Sequence, residues 1–209
     1  MRFDGKFITL EGIEGTGKST QMSFIAKELS GRGLDVLTLR EPGCTKIGEK
    51  IRNLLQYDEE CGHMLPETEL LLFEASRAQL VREVITPALG AGSWVVCDRF
   101  FDSTTAYQGA ARKLPMPIIE SLNSFAADGC VPDMTIIFDM DPALSLGRLV
   151  GRNVDLDRIE TEDLGFFSLI RKKYLEMAKD DGRFVVVDAS VEADTLSKKI
   201  IDEITRKFF

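Results

Sequence analysis

The stretch "LEGIEGTGKSTQ", Leu10 to Gln21, contains the pattern G-x-x-x-x-G-K-[ST] from Gly12 to Ser19, directly after an apolar strand pattern and directly before a helical one. In that context glycine backbone N–H groups curl around phosphate oxygens, and the helix N-terminus adds its partial positive charge. Lys18 reaches the β and γ oxygens, and the Ser19 hydroxyl suits Mg²⁺. Gly12, Ile13, Glu14, Gly15, Thr16, Gly17, Lys18, Ser19 and Thr20 are therefore the candidate ATP-phosphate cradle. Glu14 is unexpected there, because a carboxylate beside phosphates costs electrostatic energy unless something requires it. Its position points to a second substrate rather than to the nucleotide whose phosphates the loop holds.

Five apolar runs bounded by turn residues read as strands: Lys6 to Glu11, Asp35 to Arg40, Ser93 to Asp98, Asp133 to Asp139 and Arg183 to Asp188. Helical periodicities alternate with them over Ser19 to Ser30, Ile47 to Leu55, Glu67 to Ala88, Pro117 to Asp128, Pro142 to Val150, Asp163 to Lys179 and Val191 to Phe209. Gly31 and Gly33 stop the first helix, and Pro87 with Gly90 stops the third. This alternation predicts an α/β, three-layer P-loop NTPase fold, a five-stranded parallel sheet flanked by helices. Ligands of such sheets gather outside the carboxyl ends of the strands, where Asp, Glu and Arg are found here. A chain of 209 residues fits one domain. Apolar periodicity disappears in "GRNVDLDRIETE", so a short lid is expected at about 148–162.

A net charge of -8 argues against nucleic acid as a partner. It leaves small phosphorylated ligands open, since these need only a local basic cluster. Cys44, Cys61, Cys97 and Cys130 form no C-x-x-C pair, and with His63 as the one histidine no metal-ligand spacing arises. Reduced thiols, a strand pattern close to the N-terminus and the lack of a run of roughly 20 apolar residues predict a cytoplasmic protein without a membrane partner. Asp98, ending "WVVCD", is the candidate Walker-B carboxylate, and Arg99 beside it adds a phosphate-binding group. Asp139, ending "TIIFD", is its rival. Neither an N-K-x-D guanine-reading segment nor a D-x-x-G switch follows a strand, so a small-molecule kinase fits better than a GTPase switch.

"EGIEGTGKST", "REPGCT", "GEKIRNLL", "LLFEASRAQL", "DRFFDSTTAYQGAA", "PDMTIIFDMDP" and "LDRIE" occur in this order over almost the whole chain and together resemble the bacterial thymidylate kinases. The resemblance implies a fold of the nucleoside monophosphate kinase type, a homodimer, and Mg-ATP-dependent conversion of dTMP to dTDP in dTTP biosynthesis. It implies that Glu14 hydrogen-bonds the 3'-hydroxyl of dTMP, that Phe73 stacks on thymine and that Arg77 contacts its polar edge. Phe73 and Arg77 stand four apart on the third helix and so share a face. By the same similarity Thr104 and Gln108 help read the base, and the Tyr107 ring packs against the sugar and excludes a 2'-hydroxyl. Pro42 lines the base pocket, Glu41 sits beside the acceptor, and Arg52 grips the dTMP phosphate. Arg99 is expected to bridge the donor and acceptor phosphates, with Lys18 on the donor side.

The cradle has no arginine between Gly12 and Gly17, which in this family goes with a catalytic arginine supplied by the lid. Arg152 is the choice for that role and Arg148 for a place against adenine, while Arg158 of "LDRIE" is read as a brace through neighbouring acids. "RLVGRNVDLDR" is poorer in arginine than in many bacterial members. Cys44 stands where glycine is more usual, with two readings: it stiffens its loop, or it exposes a thiol near the acceptor pocket. Apolar helix faces around Leu70 to Val84 and Leu122 to Phe125 are candidates for the dimer surface. Two rival functions stand beside this reading, a kinase for another nucleotide or a deoxynucleoside and a nucleotide-binding regulatory module.

Overall fold

A computed structural model describes residues 4–56, 64–150 and 157–209. Strands β1 (Phe7–Glu11), β2 (Val36–Arg40), β3 (Trp94–Asp98), β4 (Met134–Asp139) and β5 (Phe184–Asp188) form one parallel sheet in the order β2-β3-β1-β4-β5. Each strand begins one residue later than its sequence pattern, with the polar residue before it at the amino end of the sheet. Asp133, for example, accepts the Phe7 N–H at 2.9 Å, and the Ser93 hydroxyl donates to Asp35.

Side chains of a strand alternate between faces, and β1 shows what this does here. Ile8 and Leu10 meet α1 (Lys18–Gly31) and α9 (Ala193–Phe208) through Ile25, Leu29, Leu196, Ile200 and Ile204. The opposite face carries Phe7, Thr9 and Glu11, all buried. Phe7 packs with Leu80, Val81 and Ile85 of the long third helix, and Ile137 of β4 packs with Phe167, Ile170 and Tyr174 of α8 (Leu164–Asp180). The outcome is the three-layer α/β arrangement expected of this pattern.

The remaining helices are α2 (Lys46–Gln56), α3 (Pro66–Leu80), α4 (Thr86–Gly90), α5 (Phe101–Thr104), α6 (Met116–Ala127) and α7 (Pro142–Val150). Pro87 does not stop the third helix. A π-helical turn over Val81–Ile85 joins α3 to α4, and the Thr86 N–H bonds Val81 O across the widened turn just before the proline that has no N–H to give. A second π-helical run, Thr105–Ala111, continues α5 and was not expected as a helix, because "DSTTAYQG" lacks an apolar repeat and is rich in weak helix formers. Asp163 caps α8 by accepting the Phe166 N–H. Among the described residues no helix is long and apolar enough to cross a membrane.

Candidate active site

The carboxyl ends of β1 and β3 are neighbours, so the glycine loop after β1 faces the Asp98–Arg99 turn after β3. Gly15 has φ 74, and a Cβ there would stand 2.5 Å from the Ser145 carbonyl oxygen, so the loop can lie against α7 only with glycine. Gly17, at φ 88, turns the chain into α1. Thr16 pins the loop by donating to Ile13 O at 2.9 Å. Lys18 is 7% exposed, and its Nζ donates to Gly12 O at 3.0 Å and Ile13 O at 2.8 Å. Burial, with Arg99 nearby, lowers its pKa to about 8, so an anion in the loop would gain a cation whose charge is poorly compensated. Glu14, Gly15, Gly17, Lys18, Ser19 and Thr20 line the main cavity, whereas Gly12 and Ile13 face a small recess on the other side of the loop.

The Ser19 hydroxyl donates to Asp98 Oδ2 at 3.3 Å, and Asp98 Oδ1 is buried without a partner. An orphaned carboxylate oxygen next to a hydroxyl in a phosphate cradle fits Mg²⁺, which favours one or two protein oxygens and completes its shell with substrate phosphates and water. Asp139, the rival, is held by Arg171 through two bonds of 2.6 and 3.0 Å and lies away from Ser19.

Arg99 takes a left-handed φ of 71, which turns its side chain back over the loop. Its guanidinium donates to Glu14 at 2.6 Å and to the Ser103 hydroxyl at 3.1 Å and sits 4.8 Å from the Tyr107 ring centre. The Tyr107 hydroxyl donates to both Glu14 oxygens at 2.9 Å. The unexpected acid of the loop is thus the meeting point of Arg99 and Tyr107. Beneath it lies Glu11, legible in the sequence only as one of several charged strand ends. It accepts from Phe100 N at 2.8 Å, from the Ser103 hydroxyl at 2.6 Å and from the Tyr174 hydroxyl at 2.8 Å. Burial, reinforced by Asp102, pushes the Glu11 carboxyl up to about 7.

The far end of the same cavity is lined by Glu41, Pro42, Arg52, Phe73, Arg77, Thr104, Tyr107 and Gln108, brought together from β2, α2, α3 and the helical run after β3. Arg77 is 1% exposed and donates to Glu41 at 2.8 Å and Thr104 at 2.9 Å, and also to Glu74. Burial opposes its charge, but Glu41 and Glu74 together outweigh that and raise its pKa. Burial lifts the Glu41 carboxyl to about 7 against the pull of Arg77, and Glu41 Oε1 has no partner. Arg52 donates to Pro42 O at 3.0 Å. Gln108 donates its amide to Glu69, which Arg112 and Arg158 also hold.

Of the three lid arginines, Arg148 and Arg158 are among the described residues. Arg152 lies outside the described residues. Arg148 is exposed on α7 and does not line the cavity; it donates to Ala189 O at 3.1 Å and Ser190 O at 3.3 Å after β5. Arg158 donates to Leu55 O and Glu69, which ties the segment after residue 156 to α2 and α3. Cys44, at φ 61, accepts the Arg40 N–H on Sγ at 3.3 Å, a bond that closes its loop. Glu69 and Glu74 were missed because each reads as a solvated helix charge. Their signal was spacing: on α3, Glu69, Phe73 and Arg77 repeat every four residues, and Glu74 stands three before Arg77.

The family model for thymidylate kinase matches residues 10–200. The chain is 45% identical over 184 residues to a thymidylate kinase of Carboxydothermus hydrogenoformans, covering 88% of this chain and 89% of that protein. It is 44% identical to one of Desulforapulum autotrophicum, covering 96% and 91%, and 42% identical to one of Kosmotoga olearia, covering 94% of each. With the glycine loop and the residues around Phe73 and Arg77 lining one cavity, and with matches over nearly its full length, the chain belongs to the thymidylate kinase family.

Proposed function

We propose that the protein transfers the γ-phosphoryl group of Mg-ATP to dTMP, giving dTDP, as a step of dTTP biosynthesis. The observation that carries this reading is the single cavity that joins the glycine loop at one end to Phe73, Arg77, Thr104 and Gln108 at the other, with Arg99 and Glu14 where they meet. Such a shape brings two anions in line, and phosphoryl transfer needs little else than that positioning and positive charge. The acceptor is already a phosphate oxygen, so no general base is required. An arriving phosphate competes with Glu14 for Arg99, and Glu14, relieved of that partner, becomes an acceptor for the sugar 3'-hydroxyl. The Tyr107 ring then lies along the sugar and disfavours a 2'-hydroxyl. Ser19 and Asp98 would hold Mg²⁺, which neutralises donor-phosphate charge. Lys18 takes the β and γ oxygens, Arg52 the acceptor phosphate, and Arg77 with Thr104 and Gln108 the base edge, against the Phe73 ring.

The chain forms one domain with a lid at about 148–162, whose Arg152 supplies further charge, and adenine would lie outside the cavity, on the side where Arg148 meets Ala189 and Ser190. Leu71 on α3 and Ile118 and Phe125 on α6 are more than half exposed on two packed helices, an apolar face suited to a homodimer. A cytoplasmic location goes with this function. The test is ADP release from Mg-ATP with dTMP, dUMP, the ribose form of TMP, CMP, AMP, GMP and thymidine offered separately. Strong stimulation by dTMP, weaker by dUMP and almost none by the ribose form is expected. A different preferred acceptor would overturn the base-site reading, and nucleotide binding without acceptor-dependent release would favour a regulatory module.

A further inference from the structure

Behind the base end of the cavity one buried carboxylate gathers side chains from three parts of the chain. Glu69 of α3 is 1% exposed. Its Oε1 accepts from Gln108 Nε2 at 2.8 Å and from Arg112 Nε at 3.2 Å, and its Oε2 accepts from Arg112 at 3.3 Å and from Arg158. Burial alone would raise the Glu69 pKa, but the Gln108 hydrogen bond and the charges of Arg112 and Arg158 outweigh it and hold the carboxyl below its ordinary value. An ionised carboxylate is acceptor-only. It therefore dictates which end of the Gln108 amide faces it, a choice that a hydroxyl or another amide would leave open. The backbone of Gln108 is held as well, since its carbonyl accepts, at 3.1 Å, the N–H of Leu114 from beyond the end of the π-helical run.

With its nitrogen committed to Glu69, Gln108 presents its amide oxygen to the cavity it lines. We propose that Glu69 is the positioning residue for base specificity: by fixing Gln108 oxygen-first, it makes the site demand a ring N–H donor and reject a pyrimidine that offers a lone pair there. This rests on reading the cavity as the dTMP site. Thymine and uracil carry a donor at N3, whereas cytosine carries an acceptor, which would meet the amide oxygen with both lone pairs unsatisfied. The methyl group plays no part in this discrimination, so a thymine-like ring with a cytosine edge isolates it.

The experiment compares kcat/KM for dTMP and 5-methyl-dCMP in wild type, Glu69→Gln, Gln108→Leu and the double variant. In Glu69→Gln the introduced amide offers both a donor and an acceptor, so the Gln108 amide is free to turn over. The ratio of the two acceptors should narrow by about tenfold in Glu69→Gln, the scale of one buried unsatisfied polar group. It should narrow comparably in Gln108→Leu and no further in the double variant, with KM for ATP unchanged throughout. A merely structural role for Glu69 would slow both acceptors equally, and an unchanged ratio overturns the proposal. Should Glu69→Gln not fold, the wild-type protein labelled with ¹⁵N-glutamine decides. The Gln108 amide protons should exchange slowly and keep one orientation before and after dTMP binds, and free exchange or turnover on binding overturns it. Wild type without dTMP-dependent turnover defeats the function reading itself, whereas wild-type turnover with an unmoved ratio defeats the Glu69 inference alone.

Discussion

Arg77→Ala removes the guanidinium that holds Glu41 and Glu74. The Arg77 side chain is 1% exposed and those of its two partners 3% and 6%, so truncation leaves two carboxylates in the interior. Glu41 Oε1 and Glu74 Oε2 already lack partners, which leaves little within reach to replace the lost bonds. Removing one member of a buried ion pair costs about 3–5 kcal/mol. At about 2–4 °C per kcal/mol for a chain of this size, the melting temperature should fall by about 6–20 °C near neutral pH. The loss carries a pH signature. Burial lifts Glu41 from 4.5 to about 7, and without Arg77 to oppose it the carboxyl rises further. A folded-state pKa above the unfolded one gives stability that is fully present below the unfolded value and lost as pH rises through the folded value. The deficit of the variant should therefore be greatest above about pH 7 and shrink toward about pH 5, where the stranded Glu41 carboxyl is protonated. Calorimetric melts of both proteins across that range measure it. A fall of less than about 2 °C, or a deficit independent of pH, would refute the view of Arg77 as a desolvated counter-ion.

Arg99→Ala should cut kcat by orders of magnitude while ATP affinity, measured by calorimetry, changes little; equal losses in both would remove Arg99 from the bridging role. Glu11→Gln deletes a carboxyl raised to about 7, whose contribution to wild-type stability falls as pH rises from 4.5 through that value. The variant should lose that part of the stability profile, and an unaltered profile counts against a buried, proton-linked Glu11. Asp98→Asn should abolish the enhancement of ATP affinity by Mg²⁺ while ATP still binds without the metal, and a retained enhancement would place the cation elsewhere.

Much of the fold was legible because the sheet is buried on both faces, and buried parallel strands write themselves as apolar runs. The glycine loop was legible for a related reason: its backbone must approach phosphate closely, so its residue types are few. Tyr107 and Gln108 were found by resemblance alone, since the π-helical run that carries them has no apolar period. Glu11 was legible only as one of several charged strand ends, and Glu69 was missed because a charged residue in the first turn of a helix ordinarily faces water. What buries them is tertiary: Tyr174 arrives from 163 positions away for Glu11, and Arg158 from 89 for Glu69. Arg77 carried the same ambiguity between a surface charge and a site residue, and its four buried partners, Glu41, Glu74, Thr104 and Asn123, resolve it.

Whether one cavity seats ATP and dTMP for direct transfer is decided by following the γ-phosphoryl group. ATP labelled at the γ position is incubated with the protein, Mg²⁺ and dTMP, and the labelled products are separated. Label should leave ATP for dTDP one-for-one with ADP formed, with little release as orthophosphate. Label found as orthophosphate whether or not dTMP is present, or ADP formed without labelled dTDP, would contradict it.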